Sequence, residues 1–174
     1  MPVDKQSYTR IKTELEAKNV TLVAVSKTKP VEEILELYNL GHRDFGENYV
    51  QELVAKSKML PGDIRWHYIG HLQTNKVKLI APFVQLIQSV DSLKLLEEIN
   101  KQGAKAGRVI DCLLQVHIAS EETKFGLDEN ELSGLISRDM NFHNVRLVGL
   151  MGMASFIEDK EKIRSELACL QSLI

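Results

Sequence analysis

Short runs of apolar residues alternate along this chain with stretches in which apolar residues return every three or four positions. Runs of the first kind read as strands buried on both faces, and spacing of the second kind reads as amphipathic helix. After a leading helix with Tyr8, Ile11 and Leu15 on one face, residues 21–25 form a β-rich run, and Pro30 then bars Lys29 from helical geometry. The pattern predicts helix over 31–40 stopping at Gly41, strand over 43–45, and helix over 48–59 with Asn48 placed to cap it. Beyond Pro61 and Gly62, strands over 65–69, 83–89, 109–118 and 145–150 interleave with helices over 72–80, 92–106, 128–137 and 158–173. Asp91 or Ser92 is placed to cap the helix over 92–106.

Strict alternation of strand and helix implies a parallel sheet covered by helices. A doubly wound sheet closes with six strands, whereas a (β/α)8 barrel needs eight and typically ~250 residues. At 174 residues the length favours the open sheet. The polar residues favour the barrel, because they follow every strand instead of gathering at one switch point. Lys27 follows the first, Glu47 and Asn48 the second, His67 and Gly70 the third, Asp91 the fourth, His117 to Lys124 the fifth and Met151 the sixth. A ring of functional groups at carboxyl ends is how a barrel builds a site. The expectation is therefore an α/β fold of the (β/α)8 TIM-type barrel class. Residues 1–174 form a single domain with about six βα units, and the C-terminal units are missing.

Composition narrows the classes of function. With 44% hydrophobic and 26% charged residues the chain reads as a soluble globular protein, and a net charge of −2 supplies no basic excess for a nucleic-acid backbone. No apolar stretch approaches the ~20 residues that span a bilayer, and the start carries no apolar signal core, so no membrane association and a cytoplasmic location are expected. Cys112 and Cys169 show neither metal spacing nor a disulfide framework and read as reduced core residues. The histidines lack zinc-type spacing, so no metal site is expected. Dinucleotide, Walker and nucleophile-elbow motifs are lacking too.

Lys27 leaves an apolar strand in Ala24-Val25-Ser26-Lys27-Thr28-Lys29-Pro30, where it reads either as a surface loop lysine or as a functional amine. A Schiff base needs the uncharged amine, whereas an ordinary lysine with pKa ~10.4 is almost wholly protonated at neutral pH. On an extended backbone Lys29 stands on the same side some ~7 Å away, and its repulsion favours the neutral form by at most roughly 2.4 kcal/mol. Asn48 reads as a helix cap or a ligand contact, and His67 as an interior histidine or a group that orients an oxygen. Lys124 reads as a loop lysine or an anion contact. Met151 offers a thioether that packs on a flat ring or simply fills core.

Three blocks, residues 24–30, 45–52 and 66–76, together with Lys124-Phe125-Gly126 and Gly149-Leu150-Met151, closely resemble the YggS-like pyridoxal phosphate homeostasis protein family. The resemblance implies a barrel like the N-terminal domain of alanine racemase, with pyridoxal 5′-phosphate (PLP) held as a Schiff base on Lys27. It also implies that Asn48, His67 and Met151 line the cofactor cavity, with Lys29 and Lys124 as secondary candidates. The family's later Ser-Met-Gly-Met-Ser and Arg-Ile-Gly segments, which hold the phosphate, are not in this sequence, so the phosphate grip is expected beyond Ile174. The role implied is a non-catalytic, monomeric carrier that holds PLP and passes it to apo PLP-dependent enzymes, with no catalytic residues. A PLP-dependent racemase-type enzyme and a lysine Schiff-base aldolase are the competing readings.

Overall fold

The computed structural model describes residues 3–118, 126–137 and 141–173. Helix α1 (Lys5–Glu16) starts at Asp4, whose carboxylate accepts from the amides of Gln6 and Ser7. It leads into β1 (Ala24–Val25), α2 (Val31–Asn39), β2 (Asp44–Glu47), α3 (Val50–Met59) and β3 (Arg65–Tyr68). A 3-10 turn at Thr74–Lys76 and the short α4 (Val77–Ile80) precede β4 (Leu86–Val90) and α5 (Leu93–Ala106). The described chain closes with β5 (Ile110–Val116), α6 (Glu129–Ile136), β6 (Val145–Gly152) and α7 (Lys160–Ser172). Ser92 caps α5 by accepting from Leu95 N, and Asp128 and Glu131 form a reciprocal capping box on α6.

The six strands are all parallel and lie in the order β1-β2-β3-β4-β5-β6. That order decides between the two architectures. A doubly wound sheet reverses direction once and so has helices on both faces, whereas an unreversed series of right-handed crossovers puts every helix on one face. The sheet is therefore the six-stranded part of a (β/α)8 barrel. Phe45, Trp66, Ile87, Cys112 and Leu114 point from successive strands into the helix layer, each at most 3% exposed. They form one core with Leu53, Ile80, Leu96 and Ile99. Burying side chains of this size stabilises the fold by roughly 1.5–3 kcal/mol each. The opposite face, carrying Gly46, His67, Leu86 and Asp111 in register, is the inner face.

Several boundaries differ from the sequence pattern, for physical reasons. Only Ala24–Val25 of the apolar run over 21–25 pairs as strand. Glu47 belongs to β2 and Met151 to β6, because pairing with β3 and β5 carries both strands past their apolar stretches. Asn48 does not cap α3: the N-cap is Tyr49, without a side-chain hydrogen bond. The helix expected over 72–80 opens as a 3-10 turn. Cys112 is buried, but Cys169 lies on the exposed side of α7 and is not a core residue.

Candidate functional site at the carboxyl ends of the strands

Strand β1 ends where the Ser26 amide donates to the Gly46 carbonyl at 2.9 Å. The alternation of side chains then sends Ser26 to the helix layer, and Lys27 follows in the turn. Ser26 Oγ donates to Glu47 Oε1 at 2.6 Å, and Lys27 is exposed. The chain turns at once, with Lys29 N donating to Ser26 O at 3.0 Å and Thr28 in the left-handed region at φ 62°. Left-handed backbone costs an ordinary residue about 1–2 kcal/mol, and a β-branched residue there is a true outlier. Glu52 compensates by accepting from Thr28 N at 2.6 Å. The same carboxylate oxygen accepts from Lys56 Nζ at 2.6 Å, and Lys56 Nζ also donates to Glu47 Oε1 at 2.8 Å and to Ser26 O at 2.6 Å. Lys56 is 4% exposed and Glu47 is 0% exposed. A buried ionic cluster thus clamps the turn that presents Lys27. The turn also corrects the extended-backbone reading: Lys29 does not stand beside Lys27 but pairs with Glu33 at 3.4 Å.

His67 lies on the inner face, one register row below the mouth, and both of its ring nitrogens are engaged. The Gln88 amide nitrogen is 3.0 Å from His67 Nδ1, and His67 Nε2 is 3.1 Å from Asp44 Oδ1. An amide N–H can only donate, so Nδ1 accepts and Nε2 carries the proton that goes to Asp44. That is the neutral tautomer. Burial lowers the pKa of His67, outweighing the pull of Asp44. Burial also pushes the Asp44 carboxyl up, but hydrogen bonds from Arg65 and His67 outweigh this and hold it below the usual range. Asp44 and Gln88 escaped notice in sequence because neither sits in a chemically crowded block.

Asn48 leaves β2 at the mouth, and its carbonyl accepts from Tyr68 Oη at 2.9 Å. Its side-chain Oδ1 is buried without a hydrogen-bond partner, an acceptor left unsatisfied within the protein. Gly70 makes this approach of the two loops possible, because a Cβ there would lie 2.3 Å from Asn48 O. Burial pushes the Tyr68 phenol up to about 12, which keeps it a donor. Beside it His71 Nδ1 meets Asp91 Oδ2 at 3.1 Å. A cavity of about 310 Å³ between these loops is lined by Asn48, Tyr68, Gly70, His71 and Lys76. Another, of about 550 Å³, lies at the amino ends of the strands beside Lys12, His42 and Arg65. Barrel sites sit at carboxyl ends, where the smaller cavity lies; of the sequence-derived residues Asn48 lines it, and Lys27, His67 and Met151 do not.

Met151 pairs in register with Gln115 on the inner face and is half-buried. Gly126 lies against the end of β5 with φ 143°, where a Cβ would come 2.6 Å from His117 N, so glycine alone fits. Lys124, two residues earlier, lies outside the described residues. Of the sequence-derived residues, His67 and Met151 lie on the inner face of β3 and β6, Lys27 and Asn48 lie just past the ends of β1 and β2, and Lys29 pairs with Glu33. The clamp of Glu47, Glu52 and Lys56 was missed. Its one signal in the sequence is the four-residue spacing of Glu52 and Lys56 on a predicted helix.

A parallel sheet of barrel type, with polar residues at and just past the carboxyl ends of its strands, defines the class. A family model described as alanine racemase, N-terminal domain, matches residues 5–174. The pyridoxal phosphate homeostasis protein of Aquifex aeolicus is 40% identical over 153 residues, 87% of this chain and 67% of that protein. The human protein of the same name is 38% identical over 165 residues, 89% of this chain and 60% of that protein. The chain belongs to the pyridoxal phosphate homeostasis protein family, and it spans 60% of the human relative's length. A structure of PipY from Synechococcus elongatus without PLP matches with TM-score 0.90 at 31% identity, covering 97% of this chain and 79% of that one. PipY with PLP bound matches with TM-score 0.87, at 31% identity and covering 97% of this chain and 78% of that one. Alanine racemase of Clostridium difficile, at 12% identity and TM-score 0.71, shares the fold.

Proposed function

We propose that this protein holds PLP on Lys27 and serves as a carrier of the cofactor rather than as a catalyst. The observation that carries the reading is the clamped turn, which ties Ser26, Thr28 and Lys29 and leaves Lys27 exposed past the carboxyl end of β1. The residues fit the group. PLP supplies an aldehyde that condenses reversibly with an amine and releases water. Around it Asn48 Oδ1 offers an acceptor to a ring substituent, neutral His67 fixes the floor of the inner face, and Met151 offers a polarisable surface for an aromatic ring.

A carrier role is supported by the name shared by relatives at 38–40% identity. The chemistry agrees: racemisation needs acid and base groups on both faces of a substrate carbon, and His67, with both nitrogens committed and its pKa lowered, is poorly suited to move protons at neutral pH. Among the described residues no helix is long and apolar enough to cross a membrane. We place the protein in the cytoplasm as a monomeric barrel that delivers PLP to apo-enzymes.

The test is the visible absorption spectrum of the full-length protein with PLP beside that of Lys27→Ala. Wild type is expected to show the band of a lysine-bound cofactor and the variant to lack it. A variant that keeps the band moves the attachment to another lysine, Lys124 first. Sustained exchange of the α-hydrogen of alanine by the loaded protein contradicts the carrier role.

A further inference from the structure

We propose that Glu52 is a positioning residue for Lys27: by accepting the Thr28 amide it holds the turn in the single left-handed conformation that keeps the lysine poised for PLP. The inference rests on the reading of Lys27 as the attachment point. A tight turn with a left-handed third residue is ordinarily made with glycine, which adopts that conformation without steric cost. Here the position is Thr28, at φ 62°, and the chain meets the cost with a contact across 24 residues of sequence. The accepting oxygen is itself fixed by Lys56, which is buried and further held by Glu47 Oε1 and the Ser26 carbonyl. Glu47 and Lys56 are buried on the helix side of the sheet, whereas Lys27 is exposed. A glycine turn needs no such cluster. A strained turn with a clamp gives stiffness, and a pre-ordered amine spends less conformational freedom when the cofactor attaches.

The experiment follows the rate at which the lysine-bound cofactor band appears when PLP is mixed with apo full-length protein, with the thermal midpoint measured in parallel. Glu52→Ala leaves the Lys56–Glu47 pair in place and is expected to slow capture about tenfold, ~1.4 kcal/mol. Glu52→Gln, which keeps an acceptor for Thr28 N–H, is expected to remain within about threefold of wild type. Thr28→Gly in the Glu52→Ala background is expected to restore part of the capture rate, because glycine reaches the left-handed conformation without steric cost although it does not stiffen the turn. A structural role alone would lower the midpoint and leave the rate unchanged. Two results overturn the positioning role: capture at the wild-type rate by Glu52→Ala, or slowing that is relieved neither in Glu52→Gln nor by the added Thr28→Gly. Band retention in Lys27→Ala instead overturns the attachment reading beneath it. If Glu52→Ala does not fold, hydrogen exchange of the wild-type apo-protein decides: a protected Thr28 amide supports the clamp, and a freely exchanging one overturns it.

Discussion

Replacing Lys56 by methionine removes the ammonium but keeps most of the side chain's length and packing. In the wild type that ammonium is 4% exposed and makes three hydrogen bonds, to Glu47 Oε1, Glu52 Oε1 and the Ser26 carbonyl. Glu52 keeps partial access to water at 23% side-chain exposure, but Glu47 has none at 0%. Its Oε2 already has no hydrogen-bond partner. Lys56→Met therefore strands a carboxylate in the helix layer with only Ser26 Oγ to serve it. Removing one partner of a buried ion pair costs about 3–5 kcal/mol, against a total stability of roughly 5–15 kcal/mol for a domain. Urea unfolding at neutral pH measures the loss as a shift in midpoint at constant slope. Adding Glu47→Gln to Lys56→Met should recover most of it, because no buried charge then remains. A loss under about 1 kcal/mol, or a double variant no better than the single, would refute the claim that the cluster is a dry ion pair.

Neutral His67 makes stability depend on pH. Its folded pKa lies below the unfolded value, so the unfolded chain takes up the proton first. The stabilisation is full above the unfolded pKa of about 6.5 and is lost as pH falls through the folded pKa. His67→Gln should flatten that part of a stability-against-pH curve, and an unchanged slope would contradict the assignment. Asp44 acts in the same sense lower down: its depressed pKa gives stability above its ordinary value that is lost on further acidification, and Asp44→Asn should remove that branch. Gly70→Ala puts a methyl 2.3 Å from Asn48 O and should destabilise by about 1–3 kcal/mol in thermal unfolding while weakening PLP binding in titration. A silent Gly70→Ala would show that the loops after β2 and β3 do not close as described.

The barrel was legible in sequence because a polar residue followed each apolar run, and strand order then removed the doubly wound alternative. Strand ends were less legible. The extent of β2 and β6 is fixed by partners 20 or more residues away, and local propensity does not encode that pairing. Asn48 looked like a cap by residue type, yet the loop packs it against Gly70, and tertiary contact outweighed local preference. Lys27 stood out by its position after β1, which left a loop lysine and a functional amine both open, and the resemblance of the flanking blocks chose between them. The clamp behind it was not legible: Glu47 was read as one of the polar residues around the barrel mouth, whereas burial on the helix side joins it to Lys56. The turn itself hid in Thr28, a residue type that predicts extended backbone and here takes φ 62°.

Borohydride reduction of the PLP-loaded full-length protein, followed by proteolysis and mass mapping, reads the covalent bond directly. The account predicts the reduced pyridoxyl group on the peptide containing Lys27 and its loss in Lys27→Ala. A label on Lys29 or Lys124 in the wild-type protein, with Lys27 unmodified, would contradict it.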